Sequence, residues 1–569
     1  MKALPRSEKR AFRFQLFARA WFVMVLGVGS CFAQELARTD LAASLAATKA
    51  ITVPALRSHL RFLSDGLLEG RDTGSRGYEI AALYVASQLE SMGVQPAGEN
   101  GSYFQTVPLR KAINDGSKSS FSLVNGAKVI RLKDSVDYLF GADLEHTEAD
   151  VDAPVVFVGF GVTSPELNYD DYAGVDVRDK VVAMLGNAPA RFSSTLRAYY
   201  ADGIVKAKNA IAHGAVGILF LLLPEDEKIN PWEWSVPQIQ AGDREWLDHG
   251  SPHDPLPELR AEAALSVRGA QLLFSDAPRT LEDVFTNARK SQPQAFPLRW
   301  TAKMHTVSSH QALSSRNVIG KIQGSDPQLS GEYVIHSAHL DHLGMCPAVE
   351  GVSDKICHGT MDNASGVATV LEIARAYTKL AKPPRRSIIF FFPTGEEGNS
   401  EGADYFAHFP TVPKLSLVAD INTDVAPGMR YPSKDFNAIG GEHSSLNQNA
   451  LWAAELTGHS ITPDPMPEQN LFIRSDHYFF VQQGIPSILI RNGSDGGEVI
   501  KKWIETRYHT PLDNMEQPLD YDAGVNAAGM LFLLGYSVAQ PDQRPAWNKD
   551  DFFGMRFSSP IASPGSQKQ

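Results

Sequence analysis

Residues 387–392 read Ser-Ile-Ile-Phe-Phe-Phe, and five large apolar side chains in a row suit a strand only where both of its faces are covered. A strand of that kind needs helices above and below it, which predicts an α/β layer fold with a mixed, mainly parallel sheet flanked by helices. The surrounding sequence agrees. From 316 to about 540, apolar runs such as 333–337, 416–421 and 485–490 alternate with helical periodicity, the clearest helix being 366–380. Open sheets of this class gather their ligands at the C-terminal ends of the strands, and there the chain places its chemistry. The run from Tyr333 ends in His339 and Asp341, the run from Ser387 in Glu396 and Glu397, and the run from Ser416 in Asp424. The run from Ile485 precedes a loop carrying Tyr508 and His509, and Asp362 stands just before the helix at 366.

Imidazoles and carboxylates converging on one rim, with no thiolate among them, form the donor set of a hydrolytic zinc site rather than a structural one. Two neutral His and three carboxylates carry a charge of about −3, which two Zn²⁺ and one bridging hydroxide would neutralise. An odd carboxylate between two metals makes Asp362 the natural bridge. The bland alternatives are a solvated Glu396–Glu397 pair and an Asx turn at Asp362. The five apolar residues before the glutamates argue against the first; the second is compatible with metal binding. Gly159-Phe160-Gly161 mimics a dinucleotide fingerprint, but the third glycine position holds Ser164 and no helix follows. No nucleophile-elbow serine is expected, which sets aside the serine hydrolases that use one.

Composition bears on location and partners. Residues 1–33 carry six Lys/Arg against Glu8 alone, then an apolar run from Ala20 to Val28 and small residues to Ala33. This predicts an export signal too short to span a bilayer, and hence a periplasmic or secreted protein with no transmembrane span. Val28–Cys31 also resembles a lipobox, which would anchor the chain by lipid at Cys31. Removing this segment takes the net charge from −12 to −17, a surface that repels nucleic acid and anionic membrane. The remaining cysteines, Cys346 and Cys357, are expected to pair in an oxidising compartment.

Taken in order, His339–Gly344 (HLDHLG), Met361–Gly366 (MDNASG), Pro393–Gly398 (PTGEEG), Asn422–Asp424 (NTD), Ser475–Phe480 (SDHYFF), Gly484–Ile490 (GIPSILI) and Tyr508–Asn514 (YHTPLDN) resemble the M28 family of co-catalytic zinc peptidases. The resemblance covers 316–530 and extends to 60–105. Residues 158–182 and 210–221 resemble the protease-associated (PA) domain often inserted in such chains. Sequence texture and the resemblance together divide the chain into a signal peptide at 1–33, an N-terminal part of the peptidase domain at 34–148, a β-rich PA domain at 149–300, a catalytic core at 301–540 and, at 541–569, a tail without periodicity that is expected to trail over the surface. The resemblance further implies two Zn²⁺ per chain, one held by His339, Asp362 and Asp424, the other by Asp362, Glu397 and His509. By the same resemblance Glu396 is the general base, Asp341 orients His339, and Tyr508 donates to the developing oxyanion. Asp420 is then not a ligand, His342 is a wall or supporting residue, and Asp476 and His477 fix a loop. The implied activity is removal of N-terminal residues from peptides. Three alternatives stay open: a carboxypeptidase or dipeptidase of the same fold, with Arg474 as the carboxylate-binding cation; a glutaminyl-cyclase-like transferase using one zinc; and a non-catalytic ectodomain.

Overall fold

The computed structural model describes residues 38–224, 227, 231–292 and 294–558. The expected export segment and Cys31 lie outside them. Among the described residues, no helix is long and apolar enough to cross a membrane.

Four parallel strands form the centre, in the order Ser487–Asn492, Leu417–Asn422, Tyr333–Ser337 and Ser387–Phe392. Each of their residues is buried except Arg491. Antiparallel strands extend this core on both sides. Asp435–Ile439 pairs with Ser487–Asn492, and Ser387–Phe392 pairs with the end of a 28-residue strand, Ala295–Ile322, which pairs in turn with Phe104–Asn114. The side-chain alternation of Ser387–Phe392 explains why the run is apolar throughout. Ile388, Phe390 and Phe392 join the core beneath helices Arg76–Ser91, Ser365–Thr378 and Tyr521–Ala539. Ile389 and Phe391 face helix Glu401–His408, where Phe391 stacks on Phe406 at 4.5 Å between centroids. Helix Arg76–Ser91 starts where Ser75 Oγ accepts the Tyr78 amide, and it buries Ala81, Val85 and Leu89, as their spacing of four predicts.

The parallel centre of this sheet begins at Tyr333–Ser337, then adds Ser387–Phe392 on one side and Leu417–Asn422 on the other. Neighbouring crossovers therefore leave in opposite directions, and the crevice between them opens at the strands' C-terminal ends.

A second sheet runs in the order Lys128–Arg131, Ser120–Asn125, the first half of the long strand, Glu148–Val158, Val181–Leu185, Gly217–Leu221, Ala261–Leu265 and Tyr138–Phe140. It therefore begins near Ser120, earlier than the boundary at 149 drawn from sequence texture. Conversely, Asp243–Asp248 leaves this region to pair with Leu109–Ala112 at the edge of the first sheet. Strand pairing set both exchanges, and pairing between distant segments leaves no local composition signal. The expected tail differs too. Phe552–Phe557 is a helix whose Phe553 is fully buried against His443 and Phe472, while Asp551 accepts the Gly554 amide and pairs with His443. Six residues are too few to show a helical period in sequence.

Cys346 and Cys357 are joined. The bridge closes a short loop between the strand end carrying His339 and the turn carrying Asp362. In the loop-entropy description it should constrain the unfolded chain by roughly 2 to 3 kcal/mol. Cys346→Ser/Cys357→Ser should therefore unfold at lower denaturant, with an unchanged slope. Two reactive thiols in the unreduced native protein would show that the bridge does not form.

Candidate metal centre

Five segments deliver the polar groups. His339 and Asp341 leave the strand Tyr333–Ser337, and Asp424 follows Leu417–Asn422. Glu396 and Glu397 open a short helix after Ser387–Phe392. Asp362 precedes helix Ser365–Thr378, and its peptide to Asn363 is cis. His509 adopts a left-handed backbone conformation, φ 56°, in the loop after helix Gly497–Thr506.

The fold brings all five expected ligands together. Asp362 Oδ1 lies 3.3 Å from His339 Nε2 and its Oδ2 lies 3.3 Å from His509 Nε2. Asp424 Oδ1 is 3.6 Å from His339 Nε2, and Glu397 Oε2 is 3.0 Å from His509 Nε2. Among the described residues neither imidazole Nε2 has a hydrogen-bond partner, although both are buried among these oxygens. Ligands about 2.0–2.1 Å from a tetrahedral zinc sit about 3.3 Å from one another, so the spacing and the missing hydrogen bonds both fit a shared ion. The two ring nitrogens address opposite oxygens of Asp362, the arrangement a bridging carboxylate needs. The residues present fit zinc: His339 gathers Asp362 and Asp424 on one side of the shared carboxylate, and His509 gathers Asp362 and Glu397 on the other.

The adjacent glutamates differ electrostatically. Burial, with Asp424 and Glu397 alongside, pushes the Glu396 carboxyl well above its ordinary range despite His339. Burial and Asp362 push Glu397 the same way, but the imidazoles of His509 and His342 hold it at about 2. Neighbouring carboxyls with values driven apart suit an acid–base residue beside a permanently ionised ligand. Distance alone does not separate them, because Glu396 Oε2 is 3.7 Å from His339 Nε2. The surrounding carboxylates raise His339, and they hold His509 at about 9, both against the opposing effect of burial. Metal binding must displace those protons.

Asp341 does something other than the expected orientation of His339. Its carboxylate is 3.8 Å from His339 Nδ1, which lies nearer the Asp341 carbonyl at 3.3 Å. The carboxylate instead accepts the amides of Glu396 and Glu397 at 3.2 and 3.3 Å, and the Thr73 hydroxyl at 3.2 Å. Its contacts therefore orient the glutamate turn. His342 is fully buried and its Nδ1 hydrogen-bonds Glu397 Oε1. Tyr508 stacks on His509 at 3.7 Å, and its hydroxyl accepts from Arg474 Nη2 at 3.4 Å. Asp476 and His477 are fully buried, and among the described residues neither carboxylate oxygen nor either ring nitrogen has a hydrogen-bond partner.

Three supporting residues escaped the sequence reading. Asp513, in the same loop as His509, accepts the amides of Met361 and Asp362. Asn363 accepts from Val425 and Gly366 and donates to the Thr423 carbonyl, tying the Asp362 turn to the Asp424 turn. Arg71 donates to the carbonyls of Leu340, Leu63, His358 and Gly359 behind the centre. Only the Gly- and charge-rich texture of 65–77 hinted at the last. Gly70, φ 72°, lets that loop touch Gly344, whose carbonyl oxygen would lie 2.2 Å from an added Cβ.

One expectation fails on the sequence itself. Gly398-Asn399-Ser400-Glu401-Gly402 has the G-x-S-x-G spacing. The structure supplies the exclusion instead, because Ser400 Oγ hydrogen-bonds no histidine among the described residues, and an elbow serine needs that base.

Asp420 is engaged elsewhere. It is fully buried, its Oδ1 accepts from Ser337 Oγ at 2.7 Å, and burial pushes its carboxyl up to about 8. The unfolded chain ionises this group near 3.9, so the folded state holds a proton the unfolded state has lost, and stability should fall as pH rises from about 4 to 8. Asp420→Asn removes that fall. The gap between the two proteins' urea midpoints should widen from pH 5 to pH 8; parallel curves would mean that Asp420 is ionised.

Residues 317–533 match the profile of peptidase family M28. A vacuolar membrane protease of Lachancea thermotolerans is 26% identical over 182 residues, 32% of this chain and 17% of that protein. Aminopeptidase NAALADL1 of Rattus norvegicus is 32% identical over 263 residues, 39% of this chain and 33% of that protein. The chain thus spans a third or less of the length of these relatives. Among solved structures, the aminopeptidase from Aneurinibacillus sp. strain AM-1 superposes with a TM-score of 0.52 at 19% identity, covering 87% of this chain and 96% of that one. That likeness is one of fold.

Proposed function

We propose that this chain, whose residues 317–533 match the profile of peptidase family M28, is a zinc-dependent aminopeptidase of that family working with a co-catalytic metal pair. The observation that carries the reading is Asp362, whose two carboxylate oxygens each face a different buried imidazole at 3.3 Å. Bound zinc would acidify a water and polarise the peptide carbonyl. The chain's own residues do the rest. Glu396 takes the water's proton at its carboxylate and returns it to the leaving amine. Tyr508, stacked on His509 and facing the cleft, offers its hydroxyl to the carbonyl oxygen as charge develops there. Asp341 keeps both glutamates in register through their amides. The acidic floor of the cleft suits the substrate's protonated α-amine.

Residues 1–33 would export the protein, and the second sheet is the inserted PA domain. Arg474, at the cleft beside Tyr508, keeps a carboxypeptidase or dipeptidase as the second reading. A panel of aminoacyl, dipeptide and C-terminally blocked substrates, assayed with and without chelator, separates these. Cleavage of aminoacyl substrates, lost with chelator and restored by zinc, is the expected result. Strict dependence on a free C-terminal carboxylate overturns the aminopeptidase reading, and full activity after metal stripping overturns the family chemistry itself.

A further inference from the structure

The cleft above the metal centre encloses about 650 Å³ and extends from Glu396, Tyr508 and His509 to a second group, His253, Asp404 and His408. Asp404 and His408 share one face of helix Glu401–His408 at a spacing of four. His253 follows the edge strand Asp243–Asp248, its ring stacked on Trp246 at 4.0 Å and 15°. The Asp404 side chain is 9% exposed. Trp246 Nε1 donates to its Oδ2 at 2.6 Å, while its Oδ1 accepts no hydrogen bond among the described residues. His408 Nδ1 lies 3.1 Å from Oδ1 and His253 Nε2 lies 3.9 Å from Oδ2, with the ring centroids 4.5 Å apart. One donor atom from each residue lies within 4.8 Å of the other two.

The geometry points to a further metal site here, for a divalent transition ion of the zinc class. Two imidazoles and one carboxylate select such an ion over Ca²⁺ or Mg²⁺, which take oxygen ligands. The donor spacing of 3.1–3.9 Å is close to that of the first centre, where the corresponding contacts run from 3.0 to 3.6 Å. The Trp246 indole fixes the carboxylate as the outer partners of metal-binding carboxylates do. Nearby lysines are otherwise engaged: Lys208 pairs with Asp254, and Lys414 donates to the Gln483 side-chain oxygen. Gln483 in turn donates through its amide nitrogen to His408 Nε2, which leaves the proton on Nδ1, where it meets the Asp404 carbonyl at 3.0 Å. Binding through Nδ1 would release that proton, so affinity should rise with pH.

An ordinary packing cluster is the competing account. Such a cluster needs one imidazole to satisfy the carboxylate; here two approach it, both partly open to the cleft, with side-chain exposures of 20% and 24%. Three protein donors and an open side toward the cleft match an exchangeable ion rather than a sealed structural one. An ion here would tie the edge strand to helix Glu401–His408, which begins four residues after Glu397. The site stands independently of the reading of the first pair.

The test uses the full chain, stripped of metal and dialysed against zinc alone, with zinc per chain measured beside the zinc-dependent rise in melting temperature. His253→Gln and His408→Gln should each hold one ion fewer than the parent and bind it at least about 100-fold more weakly. Their circular dichroism should be unchanged. Glu397→Ala should lose a different ion, so that its loss adds to that of His408→Gln; this distinguishes failure of the first centre from failure of the second. His305→Gln, in the exposed group with Glu148 and Asp150, controls for adventitious surface zinc and should leave the count unchanged. Equal zinc content in the parent and both folded glutamine variants overturns the site, as does an ion lost only with His305.

Discussion

Glu396→Gln should keep its full zinc content while kcat falls by roughly 10² to 10⁴, the usual worth of a positioned general base. The substitution preserves size and hydrogen bonding but leaves no group to take a proton. Glu397→Ala should behave in the opposite way. It removes an oxygen 3.0 Å from His509 Nε2 and leaves His342 Nδ1 without its partner. Zinc affinity should therefore drop, and excess metal should restore part of the rate because occupancy is what was damaged. Metal content and kcat measured together on both proteins decide the matter. Zinc lost from Glu396→Gln but retained by Glu397→Ala would show that the two roles are exchanged, an assignment that the 3.7 Å from Glu396 to His339 leaves geometrically open.

The second large effect is expected at Arg71, which lies behind the metal centre. Its guanidinium is 1% exposed and binds four carbonyls, two of them at Gly359 and Leu340, within a few residues of Asp362 and His339. Burial lowers it only to about 10, with Asp341, Asp362, Asp513 and Glu397 opposing, so it stays charged at neutral pH. Arg71→Met would remove a buried cation from behind an anionic cluster and strand its acceptors, a loss of about 3 to 5 kcal/mol. Zinc should bind more weakly as well, because the loops bearing His339 and Asp362 lose their common brace. Chemical unfolding and zinc titration test both claims. A folded Arg71→Met protein of parental stability would mean that the disulfide and neighbouring loops alone hold these segments.

Parts of the site were legible because they are local. His339, Asp362, Glu396, Glu397 and Asp424 each sit at the end of an apolar run or just before a helix, where turn residues and a change of period mark the C-terminal rim; His509 follows in a loop carrying its own Tyr-His-Thr-Pro turn. Parts were illegible because their partners lie far away along the chain. Nothing in the "HLDHLG" sequence says that the Asp341 carboxylate turns toward the amides of Glu396 and Glu397 rather than the ring of His339. Ser400 is the converse case, a local pattern that tertiary surroundings deprive of meaning.

The sequence by itself determined the layer architecture, since five consecutive apolar residues can be covered only between helices. It also determined the inventory and order of the candidate ligands, since their types and most of their places at strand ends are local properties. Tertiary structure alone decided which groups meet. It joined strands at 120–140 to those beyond 148, carried Asp243–Asp248 across to Leu109–Ala112, set Arg71 against Gly359, and placed His253 opposite Asp404 and His408. Each of these follows from strand register and packing between segments separated by tens to hundreds of residues. Hydrophobic periodicity reports which face of an element is buried, but not which distant side chain it is buried against.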